Sequence, residues 1–136
     1  ISLSMTSGAL CTSSITLGAA VDETRIRVVF ENLTATSGNA PYAPGVPQWT
    51  FTARVPEYQP KIDTAVSETP FEGTGFEGFF TEVGKSINAV PNCAVTLKEG
   101  AASVALVTAI YHAARTGERV KLPLLPDHVL YKGWMP

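Results

Sequence analysis

Thr96-Leu97-Lys98-Glu99-Gly100-Ala101-Ala102-Ser103-Val104-Ala105-Leu106-Val107-Thr108-Ala109-Ile110-Tyr111-His112-Ala113-Ala114-Arg115-Thr116-Gly117 carries the signals for both of its own ends. Thr96 and Glu99 stand at capping-box spacing, so each side chain can satisfy an amide that the first turn of a helix leaves open. Gly117 stands where a left-handed residue closes a helix, and Arg115 lies in the last turn, facing the negative pole. Between these ends Ala101, Ala102, Val104, Ala105, Leu106, Val107, Ala109, Ile110, Ala113 and Ala114 leave almost no polar face. Such a helix has to be covered on more than one side, and its alanines suit close approach to a sheet or a second helix.

Upstream, Phe76, Phe79, Phe80, Val83 and Ile87 fall at i, i+3, i+4, i+7 and i+11, which predicts a helix from about Gly75 to Ala89, ended by Pro91. Gly78 and Gly84 weaken it by about 1 kcal/mol each, so tertiary packing must hold it. The first half of the chain changes period from 3.6 to two. Ser2 to Met5 and Leu10 to Leu17 read as strands around a Ser7-Gly8 turn. Thr24 to Glu31 sets Arg25 and Arg27 against Ile26 and Val28, with Thr34 to Thr36 as a short partner. Trp49 to Val55 alternates again, placing Trp49, Phe51 and Ala53 on one face.

Ser37 to Gln48, rich in proline and glycine, reads as a loop, and so does Pro56 to Thr74, with room for one short strand at Asp63 to Val66. Val120 to Leu122 reads as an edge strand ended by Pro123. Strands come first and helices second. That order predicts an α+β fold, an open-faced, mainly antiparallel β-sheet with two helices packed on one face, whose other face is left for a partner.

Length and composition set bounds. A chain of 136 residues, 45% hydrophobic, fits one domain with a core. Ten basic and twelve acidic residues give a net charge of −2 with no basic stripe, which argues against nucleic acid as a partner. No apolar run approaches the ~18 residues that span a bilayer, and no secretory signal opens the chain, so the expectation is a cytoplasmic protein without a membrane partner. Ile1 starts as though already inside a strand, so residues 1–136 read as one domain of a longer parent. Cys11 and Cys93 lack metal-ligand spacing and read as small buried thiols, with a disulfide as the alternative.

Catalytic signals are sparse. His112 lies within the helix, and His128 follows Asp127, a carboxylate able to orient an imidazole. Neither has a neighbour that marks a nucleophilic triad. Gly73-Thr74-Gly75 lacks the third glycine and the preceding strand of a phosphate cradle. Tyr42, Trp49 and Phe51 form an aromatic group suited to a sugar-like ligand or to packing. The tail from Leu122 to Pro136 is too apolar to hang free and should dock on the domain or on a neighbour.

At these residues the chain resembles a known family. Thr108-Ala109-Ile110-Tyr111-His112-Ala113-Ala114-Arg115-Thr116-Gly117-Glu118-Arg119-Val120-Lys121-Leu122-Pro123, then Asp127-His128 and Tyr131-Lys132-Gly133-Trp134, looks like the carboxy-terminal end of glucose–fructose oxidoreductase/inositol dehydrogenase (Gfo/Idh/MocA) proteins. The strand Arg25 to Glu31, Pro41-Tyr42-Ala43-Pro44-Gly45 and Pro47-Gln48-Trp49 are similar to a bacterial subgroup of that family. Ala113 stands where the family often has Ser.

The resemblance implies a parent with an amino-terminal Rossmann domain that binds NAD or NADP. Residues 1–136 would be the carboxy-terminal domain, lining a substrate cleft for a sugar, inositol or related polyol and forming a homo-oligomer through the exposed sheet face. The family's catalytic Lys, Asp and His match no position of this chain, so no catalytic, cofactor or metal residue is assigned. Tyr42, Trp49, His128 and Tyr131 are the candidate substrate contacts. Two other readings stand beside it: a stand-alone non-catalytic oligomerisation or small-ligand-binding module, and a small hydrolase with His128 as base.

Overall fold

The computed structural model describes residues 1–43, 49–69, 73 and 75–132. Residues 44–48 of the proline-rich loop, 70–72, Thr74 of the Gly73-Thr74-Gly75 segment and the tail end 133–136, with Trp134, lie outside the described residues. In chain order the elements are β1 (Ser2–Ser4), β2 (Leu10–Thr12), β3 (Arg27–Val29), β4 (Leu33–Thr36), β5 (Thr50–Ala53), α1 (Gln59–Glu68), α2 (Gly75–Ile87) and α3 (Leu97–Thr116). The fold class is α+β, and all strand pairing among the described residues is antiparallel. The strands form two sheets, β1-β2 and β3-β4-β5. The chain divides into two units, Ile1–Ile15 with Val90–Pro136, and Thr16–Ala89.

In the unit Thr16–Ala89, alternation fixes the two faces of the sheet. Phe30 N–H donates to Leu33 O at 2.9 Å, closing a two-residue Glu31-Asn32 turn. The register then aligns Val28 with Ala35 and Phe51, and Arg27 with Thr36 and Thr50. Period-two geometry puts Val28, Leu33, Ala35, Phe51 and Ala53 on one face, and Arg27, Val29, Thr34, Thr36, Thr50 and Thr52 on the other. Ala35, 5% exposed, is the centre of the apolar face.

The segment read as a loop from Pro56 onward contains α1, which corrects the sequence-based expectation of a loop with a strand at Asp63 to Val66. Pro56 opens a single 3-10 turn, and Pro60 sits in the first turn of α1, where its missing N–H has no helical partner to lose. Gln59 then ties the helix to the edge of β5. Its Oε1 accepts from Ala53 N–H at 2.8 Å, while Nε2 donates to Phe51 O and to Asp63 Oδ1, each at 2.8 Å.

The helix α2 follows the expected spacing. Phe76 stacks on Phe80 at 6.4 Å, and Phe79 meets Phe80 edge-on at 5.4 Å. Phe76 nevertheless remains 81% exposed, and among the described residues no other element of its own unit packs on α2.

In the unit Ile1–Ile15 with Val90–Pro136, β1 and β2 form a hairpin whose turn places Gly8 at φ 88, a conformation that costs glycine nothing. Both reciprocal bonds of the capping box on α3 are made. Thr96 N–H donates to Glu99 Oε2 at 2.7 Å, and Glu99 N–H donates to Thr96 Oγ1 at 3.4 Å. Gly117, at φ 73, closes the other end by donating to Ala113 O at 2.9 Å. Val120 to Leu122 forms no strand, because no described segment offers its backbone a ladder partner. Cys11 and Cys93 are exposed thiols, not buried ones, since a two-stranded hairpin and an isolated turn enclose nothing.

Little of the chain is shielded from water. Ala35, Ser37, Thr108 and Ala109 are the buried residues among those described. Val104, Val107 and Tyr111 on α3, and Ile26, Val28 and Phe30 along the sheet, are open to solvent. Among the described residues, no helix is long and apolar enough to cross a membrane.

Candidate functional site

The four residues expected to contact substrate fall in different units. Tyr42 and Trp49 belong to Thr16–Ala89, whereas His128 and Tyr131 belong to Ile1–Ile15 with Val90–Pro136. Tyr42 adopts φ 60, and its backbone N–H donates to Thr24 Oγ1 at 3.1 Å. This turn holds the phenol in water, 89% exposed, so it is displayed instead of packed. Trp49 is half-buried and stacks on Phe51 at 6.3 Å, on the apolar side of the sheet that its alternation predicts.

In the other unit the tail folds into successive turns. His128 N–H donates to Leu125 O, and Tyr131 N–H donates to His128 O, both at 2.9 Å. The first turn sets the His128 ring edge-on against His112 of α3, with centroids 5.2 Å apart. His128 Nδ1 accepts the Leu130 N–H at 3.2 Å. The apolar tail therefore does dock on its own helix at this point. Asp127 makes no described bond to His128, so the carboxylate–imidazole pairing suggested by their adjacency is not formed. No serine or cysteine is placed on either imidazole among the described contacts, and no group of three metal-ligating side chains gathers among the described residues.

A feature that sequence reasoning passed over lies on the second face of the β3-β4-β5 sheet. A concavity of about 720 Å³ is lined there by Arg25, Arg27, Arg54, Thr34, Thr36 and Thr52, together with Glu31 and the apolar Val29, Phe30, Leu33 and Ala53 toward the hairpin end. The signal was present in the alternation: Arg25 and Arg27 stand two residues apart, and Arg27 and Val29 on β3 come into register with threonines at every second position of β4 and β5. Only the pairing register reveals that these residues share one face.

Arg25 approaches Glu23 loosely, 3.8 Å apart with both side chains largely in water. Arg54 donates to the backbone O of Glu31 at 3.4 Å. Among the described residues, the Arg27 guanidinium and the hydroxyls of Thr34, Thr36 and Thr52 make no hydrogen bond within the protein.

Comparison with family models, with curated proteins and with solved structures finds no match to this chain.

Proposed function

We propose that this chain is the carboxy-terminal half of a NAD- or NADP-dependent oxidoreductase of the Gfo/Idh/MocA type, acting in the cytoplasm on a sugar, inositol or related polyol. It would contribute a wall of the substrate cleft and a contact with a second copy, and would have no activity by itself. The observation that carries this reading is the amount of uncovered apolar surface. Among the described residues Ala35 and Ala109 are the only buried hydrophobic side chains, whereas Ile26, Val28 and Phe30 along the sheet and Phe76 and Phe80 on α2 lie open to solvent, a surface suited to being covered by other protein. The α+β class with antiparallel pairing agrees with the fold that the resemblance implies.

The residues present do not suit a dinucleotide. A nicotinamide cofactor is held by a glycine-rich turn between a parallel strand and a helix. Among the described residues the sheets are antiparallel, and the element before α2 is the helix α1. The cofactor would therefore be bound by a separate half of the protein, and the hydride step would take place on residues outside this chain. Subunit contact would run through the apolar sheet face around Ile26, Val28 and Phe30, which are exposed in the single copy.

Calorimetric titration with NADH provides the test. The 136-residue chain should show no saturable binding, and the protein read from its complete gene should bind. Micromolar binding by the chain alone, or a complete gene without a glycine-rich βαβ segment, would remove this reading and favour a stand-alone module.

A further inference from the structure

We propose that the threonine-lined face of the β3-β4-β5 sheet is a binding site for a small molecule carrying an oxyanion, a carboxylate or a phosphate. The argument begins with register. An acid set across from a base stabilises neighbouring strands of a solvent-facing sheet. Here the neighbours of Arg27 are Thr36 and, beyond it, Thr50. Arg25, two residues before Arg27 in the segment that leads into β3, lines the same concavity, and Arg54 flanks it just after β5.

Three guanidinium groups thus share a concavity with one carboxylate, Glu31, in a chain whose net charge is −2. Like charges gathered in this way repel one another unless an anion lies between them. A guanidinium offers a planar fork of N–H donors that matches a carboxylate or phosphate, and threonine hydroxyls supply further donors without adding charge. Arg27, with no partner among the described residues, stands over the row formed with Thr36, and Thr34 and Thr52 form the adjacent row. The concavity, about 720 Å³, accommodates a small metabolite. Phe30 borders both this concavity and the subunit contact proposed above, whereas Arg27 and Thr36 belong to the concavity alone, so variants at those two residues test this proposal separately.

The test uses the complete protein without nicotinamide cofactor, titrated by calorimetry with citrate, with inorganic phosphate and with uncharged myo-inositol. The expected result is saturable binding of citrate or phosphate, weakened by added KCl. Arg27→Gln should weaken it roughly tenfold or more, because a charge-assisted fork is replaced by a neutral amide. Thr36→Val, which keeps the shape and strand preference of the residue, should weaken it by a smaller factor. Stronger binding of citrate than phosphate would identify a carboxylate ligand, and the reverse a phosphate. Unchanged anion affinity in folded Arg27→Gln and Thr36→Val proteins, or no saturable binding of either anion, would overturn the proposal. NADH binding measured on the same variants keeps this result separate from the test of the oxidoreductase reading.

Discussion

The helices α1 and α3 reach their positions by opposite means. The ends of α3 are written in its own sequence: Thr96 and Glu99 satisfy each other's backbone at the start, and Gly117 closes the finish. No residue distant in sequence takes part. The first turn of α1 has no side-chain cap, and its start is fixed by Gln59 reaching the backbone of β5. A locally capped helix can form before its surroundings do, whereas a helix tied through one side chain depends on the strand beside it.

The sharpest way to break this contrast is Gln59→Glu. The carboxylate could still accept from Ala53 N–H, but it could no longer donate to Phe51 O, and it would face Asp63 as a like charge. The loss of a part-buried bond plus that repulsion should cost about 2–3 kcal/mol in the unit Thr16–Ala89. Amide exchange would localise the effect, with Ala53 and α1 losing protection while α3 keeps its own. Equal loss of protection in α3 would mean that the two helices do not differ as argued.

The same contrast explains what could be read in advance. The helix α3 was legible to its end residues because capping chemistry is local, and α2 because its phenylalanines keep a 3.6-residue period. The alternation of Arg25 to Val28 and of Trp49 to Ala53 gave the faces of the larger sheet correctly. The helix α1 was hidden because Pro56 and Pro60 resemble breakers when their positions in the first turns are unknown. Val120 to Leu122 has a strand pattern but no ladder, and a ladder is a property of two segments.

The candidate site divides in the same way. The docking of the tail was expected from its apolar content, but the meeting of His112 and His128 depends on a turn that composition does not encode. The arginine–threonine face needed three strands in register before its residues became neighbours.

A smaller effect is expected from Thr96→Ala, which removes the hydroxyl that accepts Glu99 N–H and leaves one reciprocal half of the box. The cost should be about 1 kcal/mol, measured by urea unfolding. Amide exchange should rise at the first turn of α3 only, and the Gln59-bound junction should be unaffected. If fraying spread to Ala109, the helix would depend on its cap for more than its end, and its independence from tertiary support would be overstated.

The smallest expected effect concerns pH. Glu99 is held below the ordinary glutamate range, first by the hydrogen bond from Thr96 N–H, then by that from the Thr96 hydroxyl, with Lys98 adding a minor attraction and desolvation opposing weakly. A carboxylate whose folded value is depressed stabilises the fold above its unfolded value, and this contribution disappears as pH falls through the lower, folded value. The first turn of α3 should therefore loosen only under acid conditions, on the low side of normal glutamate titration, and should be insensitive to pH near neutrality. Carbon-detected NMR of the Glu99 carboxyl, followed together with exchange at its own amide, measures both quantities. In Thr96→Ala the titration should move back toward the ordinary value. A Glu99 that titrated normally in the unmodified chain would mean that the box is not populated in water, and α3 would then need the same kind of tertiary anchor as α1.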